Sequence, residues 1–386
     1  MIYPFDYTMP NALQLTGVAG ALSNILKTYL VTGAGAGTVS SLTVAGGIAT
    51  ATYASGHPFK ATATAQFTGA VPAALNGLKT VISATANSIT YAAPDVPDGA
   101  ATGAITSKLA SPGWAEMFSG TANLLALKPG VPEATGSVLR VDDTGTLNAR
   151  VRAFESLADI NNGTGPVPLD SQVSGGLWWP KSNTAGATIR PWWLVADERG
   201  FYLAVAPLAG DRLTLLYCGD LASEKSGDAW SFMLTGNQSD QTGVATVPEG
   251  CVGYSHRNAR GGAYVMRAHT GLGGSLGVGR VGAGHNGLTS DVYSGSAGYS
   301  FAAYPNGPNN GLLVNNVEIW GLGLRGTLPG LYHIRNSIAA EFGAGVVIDG
   351  TDDLAGRKLL VLRVAPPAGS IASGVVALDI TGPWVR

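Results

Sequence analysis

The chain has 386 residues, of which only 12% are Asp, Glu, Lys or Arg while 45% are apolar, and its formal net charge is −2. So weak a field steers nothing onto nucleic acid or anionic lipid, which excludes both as expected partners. So little surface charge also does little to keep free monomers apart. Composition therefore points to a surface covered by other subunits, against the alternative of a secreted β protein rich in Ala, Gly and Thr.

The first twelve residues contain Pro4 and Pro10 and read as an extended arm, either frayed or laid against a neighbouring subunit. The opening "MIYPFDYTMP" lacks the basic start of a signal peptide. No run approaches the roughly 20 apolar residues of a membrane span, so membrane insertion is not expected. In "LQLTGVAGALSNILKTYLV", Leu15, Val18, Leu22, Ile25, Leu26 and Tyr29 fall at helical spacing with polar residues between them. Gly33, Gly35 and Gly37 end that pattern. Residues 1–35 are thus expected to be an arm and an amphipathic assembly helix.

Over residues 36–110 the period changes to two. "TVSSLTV", "IATATY", "ATAQF", "KTVIS", "NSITYAA" and "GAITSKL" are six short strands, with Gly46-Gly47 a hairpin turn between the first pair. They predict a small β-barrel or sandwich. Residues 111–386 read as a β-sandwich-like body. "NLLAL", "SVLRVDD", "ARVRAF", "PWWLVADERGFYLAVAPL" and "RLTLLYCG" are consecutive strands, with a turn at Asp197–Gly200. Strand patterns return in "GLLVNNVEIWG", "GVVIDG", "RKLLVLRVA" and "GVVALDI", after an irregular Gly-, Ser- and Asn-rich insertion at 233–311.

Residues suited to chemistry are sparse. His57 lies between Gly56 and Pro58, and no Cys, Asp, Glu or second His occurs between Lys27 and Asn87 to share a metal, so a turn or packing role is expected. His256, His269, His285 and His333 form no ligand-spaced pair, and a His256–Cys251 thiol–imidazole pair would face opposite ways on a strand. Cys218 and Cys251 are either a disulfide or, as a cytoplasmic origin favours, two buried thiols. "GVGRVG" at 277–282 matches a dinucleotide motif in letters only, since turn formers and not a helix follow. Asp142-Asp143 and Asp352-Asp353 read as turn residues, while sequence leaves a long-range pair such as Glu155 with Asp197 open. No catalytic residue, cofactor or metal is expected.

Trp178-Trp179 and Trp192-Trp193 place four of the eight tryptophans close together. On strands one ring of each doublet faces inward, leaving the other for core, subunit or glycan contact.

The stretch "SLTVAGGIATATYASGHPFKATATAQFTGAVPAALNGLKTVISATANSITYAAP", with "GAATGAITSK" after it, resembles a small β module of tailed-bacteriophage virion proteins that is similar to a barrel domain of ubiquitin-activating enzymes. Its shared features are "SGH" at 55–57, "FTGA" with "ALNG" at 67–77, and Gly103. Downstream, "LRVDDTG", "ARVRAFESLADINNGTGPVP", "RPWWLVADERGFYL" and "ALDITGPW" resemble phage and prophage structural proteins. The resemblance implies a non-enzymatic virion protein, made in the host bacterial cytoplasm, that assembles as a symmetric oligomer at the tail tip or baseplate. Its partners would be its own copies and other virion proteins. A capsid decoration role, or a receptor- or carbohydrate-binding tail role in host attachment, is the alternative.

Overall fold

The computed structural model describes residues 1–208, 213–239, 252, 261–281, 304–336, 342–365 and 374–386. The protein is mainly β, as its alternating sequence requires, with a single α-helix among the described residues.

All six expected strands of the N-terminal module form, at Ser41–Ala45, Ile48–Thr52, Thr64–Thr68, Gly77–Ala84, Ser88–Ala92 and Thr106–Leu109, and Ala34–Thr38 and Gly99–Ala100 join them. Gly46 and Gly47 both have positive φ, 57° and 75°, the conformation that a two-residue hairpin turn needs and that side chains resist. Leu42 and Val44 point inward while Ser41, Thr43 and Ala45 face solvent. The sheet curls on itself through one segment of chain: Ala100 pairs with Thr43, and six residues later Thr106 pairs with Thr68 at the other side. Phe67 and Tyr91 fill the interior with ring centroids 4.8 Å apart.

The body is built on a large antiparallel sheet. Its path runs from Tyr3–Asp6 through Trp192–Ala196, Gly200–Val205, Thr214–Asp220, Phe232–Asn237, Leu177–Pro180, Asn148–Phe154, Val138–Asp142 and Leu124–Lys128 to Ala115–Glu116. Its middle strands are buried on both faces. Leu194, Phe201, Leu203, Leu216, Cys218 and Leu234 join a core shared with the helix and the barrel. Their neighbours Val195, Tyr202, Ala204, Leu215, Tyr217 and Met233 join a second core. That second core is closed by a C-terminal sheet containing Val314–Trp320, Leu324–Ile334, Gly374–Asp379 and Lys358–Val364. The near-continuous apolar runs "FYLAVAPL" and "LTLLYC" follow from this double covering. The Asp197–Gly200 turn forms as expected between Trp192–Ala196 and Gly200–Val205.

Three expectations need correction. The arm is neither frayed nor free for a neighbour: Tyr3–Asp6 pairs with Trp193–Ala196 of its own chain, Thr64 Oγ1 donates to the Ile2 carbonyl at 2.8 Å, and Lys60 meets Asp6 at 2.9 Å. The helix spans only Ala21–Lys27, continued by a π turn at Thr28–Thr32. Leu15 lies instead in strand Leu15–Gly17 and Val18 is 46% exposed, because Gly20, at φ 83°, breaks the chain between strand and helix. Leu22, Ile25, Leu26 and Tyr29 are all buried in the first core, so the helix presents no assembly face. The 233–311 region is only partly irregular, since Phe232–Asn237, Gly261–Val265 and Leu276–Gly277 are strands of the central sheet. Glycines hide Gly261–Val265 and Leu276–Gly277, having no side chain to carry a pattern. The remainder of that insertion, with Cys251, His256 and His285, lies mostly outside the described residues.

Candidate functional site: aromatic and arginine surfaces of the body

In strands Val138–Asp142, Asn148–Phe154 and Leu177–Pro180, every second side chain enters the first core: Leu139, Val141, Val151, Ala153, Leu177 and Trp179. The alternate positions place Arg140 opposite Arg152, and Arg150 opposite Trp178, on the other face. Like charges side by side on a sheet repel, and here each guanidinium has its own acceptors. Arg140 Nε donates to the Ile160 carbonyl at 2.7 Å, Arg152 Nε to the Pro168 carbonyl at 3.1 Å, and Arg150 to the carbonyls of Ser174 and Gly176. The three arginines thereby pin the loop 155–176 across the sheet. Asp170, which accepts from Gly175 N–H and pairs with Arg152, is held below the usual carboxylate range by those two contacts. The alternating "RVRAF" carries the signal for this arginine face; the loop that it anchors lies too far along the chain to read.

The tryptophan doublets split as strand geometry demands. Trp179 and Trp192 are fully buried, their indole N–H groups donating to the carbonyls of Thr235 at 2.7 Å and Leu13 at 3.0 Å. Trp178 is half-buried beneath the Arg150 guanidinium, 3.8 Å from the ring centroid. Trp193, also half-buried, packs against the second core and meets Tyr7 edge-on at 5.3 Å. One face of each outward ring is therefore already in use within the chain. Nearby, Glu155 holds Arg267 in a two-pronged ion pair at 2.5 and 2.9 Å, and Arg267 stacks over Trp230. The Glu155 hydrogen bond keeps that guanidinium above its ordinary range. Glu155 is thus not paired with Asp197.

The tryptophan that faces outward most is one the sequence pattern did not single out. Trp320 is 44% exposed at the tip of the hairpin joining Val314–Trp320 to Leu324–Ile334, and Leu322, at its apex, is 80% exposed with φ 57°. A leucine in the left-handed region is strained. Just below the tip the hairpin is anchored: buried Arg325 pairs with Asp228 at 2.8 Å, and Ala222–Ser223 adds a short strand against Gly326 and Thr327. The signal in sequence was "WGLGL", apolar residues alternating with glycine.

Groups fit for acid–base chemistry are committed elsewhere. Asp143 is not a turn residue: its carboxylate accepts the Leu22 and Ser23 N–H groups at the start of the helix and forms a buried ion pair with Lys181. Lys181 also donates to the Val18 and Gly145 carbonyls. Asp142, by contrast, closes a turn, accepting from Thr144 N–H and hydroxyl. Asp352 and Asp353 likewise lie in a single 3-10 turn. Asp197 is bound by Arg386, Asp220 by Arg199 and Asp379 by Arg357. His57 sits in the packing role expected of it, stacked between Tyr53 and Phe59, with Nδ1 accepting from Phe59 N–H and Nε2 facing the Ser88 carbonyl at 3.2 Å. Cys218 is a buried thiol whose pKa burial pushes well up, the opposite of an activated nucleophile. His333 is buried and His269 exposed. Gly277–Val281 lies in two short strands, with no helix following among the described residues. No group of three or more potential metal ligands occurs among the described residues. What the surface offers is contact chemistry, at the apolar hairpin tip above all. The chain matches no protein-family model, and no curated protein matches it.

Proposed function

We propose that this chain is a structural component of a bacteriophage virion, a tail-tip or baseplate subunit that acts by assembling symmetrically with its own copies and with other virion proteins. The observation that carries the reading is how the buried carboxylates are used. Asp143, Asp197, Asp220, Asp228 and Asp379 each neutralise a cation inside the fold. These carboxylates are closed off from solvent beside their cations, Asp143 with its pKa raised by burial, whereas acid–base work needs such a group open to a cleft that a substrate can enter. The low surface charge and the outward Trp320, Leu322 and Leu324 suit a body that meets other proteins.

Tyr3–Asp6 and the helix residues Leu22, Ile25, Leu26 and Tyr29 pack against this same chain, so the proposal puts the assembly contacts elsewhere on the surface. Mass spectrometry of separated tails and heads from purified particles tests the reading. Recovery in tails supports it; recovery in heads alone moves the protein to a capsid decoration role; absence from both ends it. A second reading, carbohydrate contact during host attachment, is favoured by Trp320, whose ring is open and whose indole N–H donates to Glu318 at 2.8 Å. On a glycan array it predicts binding that Trp320→Ala abolishes and Trp178→Ala leaves largely intact. An array on which the parent protein binds nothing excludes it.

A further inference from the structure

A buried ion pair is an end state when its cation cannot become a nucleophile, and a pair of reactants when it can. Arginine cannot, because its guanidinium stays protonated in proteins. Asp197, Asp220, Asp228 and Asp379 all face arginine. The lysine pairs Lys27–Glu116, Lys60–Asp6 and Lys358–Asp349 are open to water on the lysine side. Among the described residues, Lys181–Asp143 alone joins a lysine to a carboxylate with both side chains fully buried.

The two sit at the same end of the central sheet. Asp143 follows strand Val138–Asp142 and Lys181 follows Leu177–Pro180, with strand Asn148–Phe154 between them. Asp142 lies opposite Arg150, and Pro180 opposite Asn148. Lys181 Nζ meets Asp143 Oδ1 and also donates to the carbonyls of Val18 at 3.1 Å and Gly145 at 2.6 Å, so the group is held from three sides. The second carboxylate oxygen, Oδ2, accepts the Leu22 and Ser23 N–H groups at 2.8 and 2.9 Å. One oxygen thus faces the amine while two backbone donors hold the other, the layout that stabilises a tetrahedral acyl centre.

We propose that Lys181 and Asp143 condense into an isopeptide bond, a covalent staple across three strands of the central sheet. Nζ gives one proton to Oδ1, leaving an amine beside a neutral carboxyl. The amine lone pair attacks Cγ, and Oδ2 takes up negative charge against the Leu22 and Ser23 N–H groups. The Cγ–Oδ1 bond then breaks, and Oδ1 leaves as water with a second proton from Nζ. The product is a neutral amide that keeps the third. Nothing is oxidised or reduced, and no co-reactant is needed.

Burial favours each stage. Desolvation lifts the Asp143 carboxyl above the usual carboxylate range, against the pull of the Lys181 charge, and so favours the neutral pair. Replacing two buried ions with one amide removes their desolvation cost. Fixed proximity lowers the barrier, and the absence of solvent contact shields the amide from hydrolysis. The bond forms within one chain, so it goes beyond the assembly reading and stands or falls apart from it.

Mass spectrometry of the intact, denatured full chain after days at neutral pH is the test. The parent is expected to weigh one water less than its sequence, and Lys181→Met to match its own. Trypsin should fail to cut after Lys181 and should release a branched peptide in which residues 141–150 hang from Lys181 through Asp143. Circular dichroism checks that Lys181→Met folds; the parent's mass and its branched peptide decide the matter even where that variant does not. A parent of full sequence mass overturns the staple. So does a lost water with Lys181 still cleaved, since Asp98–Gly99 or Asp349–Gly350 can lose one as a succinimide without any branch.

Discussion

The barrel and the central sheet are both antiparallel, yet they solve the problem of burial differently. The barrel has one dry face, so its strands alternate: Leu42 and Val44 inside, Ser41 and Thr43 outside. In the central sheet Gly200–Val205 and Thr214–Asp220 are buried at every position, with odd and even residues entering different cores. The barrel therefore tolerates polar substitution on half of its surface, and the middle of the central sheet tolerates it almost nowhere. The two regions nonetheless share one core through the helix, which ties their stabilities together.

Alkali should expose that tie most strongly. Burial holds the Tyr53 hydroxyl of the barrel at about 12, against 10.0 when free, and pushes Tyr91 in the barrel and Tyr202 and Tyr217 in the body up as well. The unfolded tyrosines ionise first, so stability is intact below about pH 10 and is lost as the pH climbs towards 12. Every tryptophan lies outside residues 34–109, so indole fluorescence reports the body while far-ultraviolet circular dichroism reports both regions. Coincident alkaline transitions would show one cooperative unit; a circular dichroism transition preceding the fluorescence change would show the barrel melting alone.

Within the body, Lys181→Ala should cost about 3–5 kcal/mol in urea unfolding, because it leaves the Asp143 carboxylate buried beside the helix start without its cation. Leu203→Ala in the doubly covered sheet should cost about 2–5 kcal/mol, and the outward Thr43→Ala in the barrel no more than about 0.5 kcal/mol. Equal costs at those two sites would break the contrast. Tyr53→Phe, which strands the Ser107 hydroxyl now 2.8 Å away, should cost about 1–2 kcal/mol. At the small end, Leu322→Gly should relieve the left-handed strain at the hairpin tip and raise stability by up to about 1 kcal/mol.

What could be read from sequence follows the same division. Six of the eight barrel strands were legible because a wet face leaves a polar residue at each second position, and Gly46-Gly47 named its own turn; Ala34–Thr38 and Gly99–Ala100, whose glycines read as a helix stop and a turn, were not. In the body, "FYLAVAPL" announced strands but not which residue faced which core. The helix was overdrawn because Leu15 and Val18 satisfy its period by coincidence. Two glycines, Gly17 and Gly20, overrule that spacing: a Cβ on Gly17 would stand 1.9 Å from the Thr184 carbonyl oxygen, a neighbour that only the folded chain supplies. The long-range pairs were out of reach for the same reason. Asp143 looked like the second half of a turn doublet until Lys181 and the helix amides gathered round it. Sequence left Trp178 to core, subunit or glycan contact, and could not show that Arg150 occupies one face of its ring.

The pairing of Tyr3–Asp6 with Trp193–Ala196 also sets an order of events at the ribosome. That first strand emerges with its partner still untranslated, and at roughly 5–20 residues per second the wait is on the order of 10–40 seconds. The barrel, whose partners are all close in sequence, can close in the meantime and offer Thr64 and Lys60 as early handholds for the segment. A nascent chain stalled before Trp192 should therefore carry a folded barrel and a tethered, unpaired N-terminal strand, and release of the stall should complete the body from that seed.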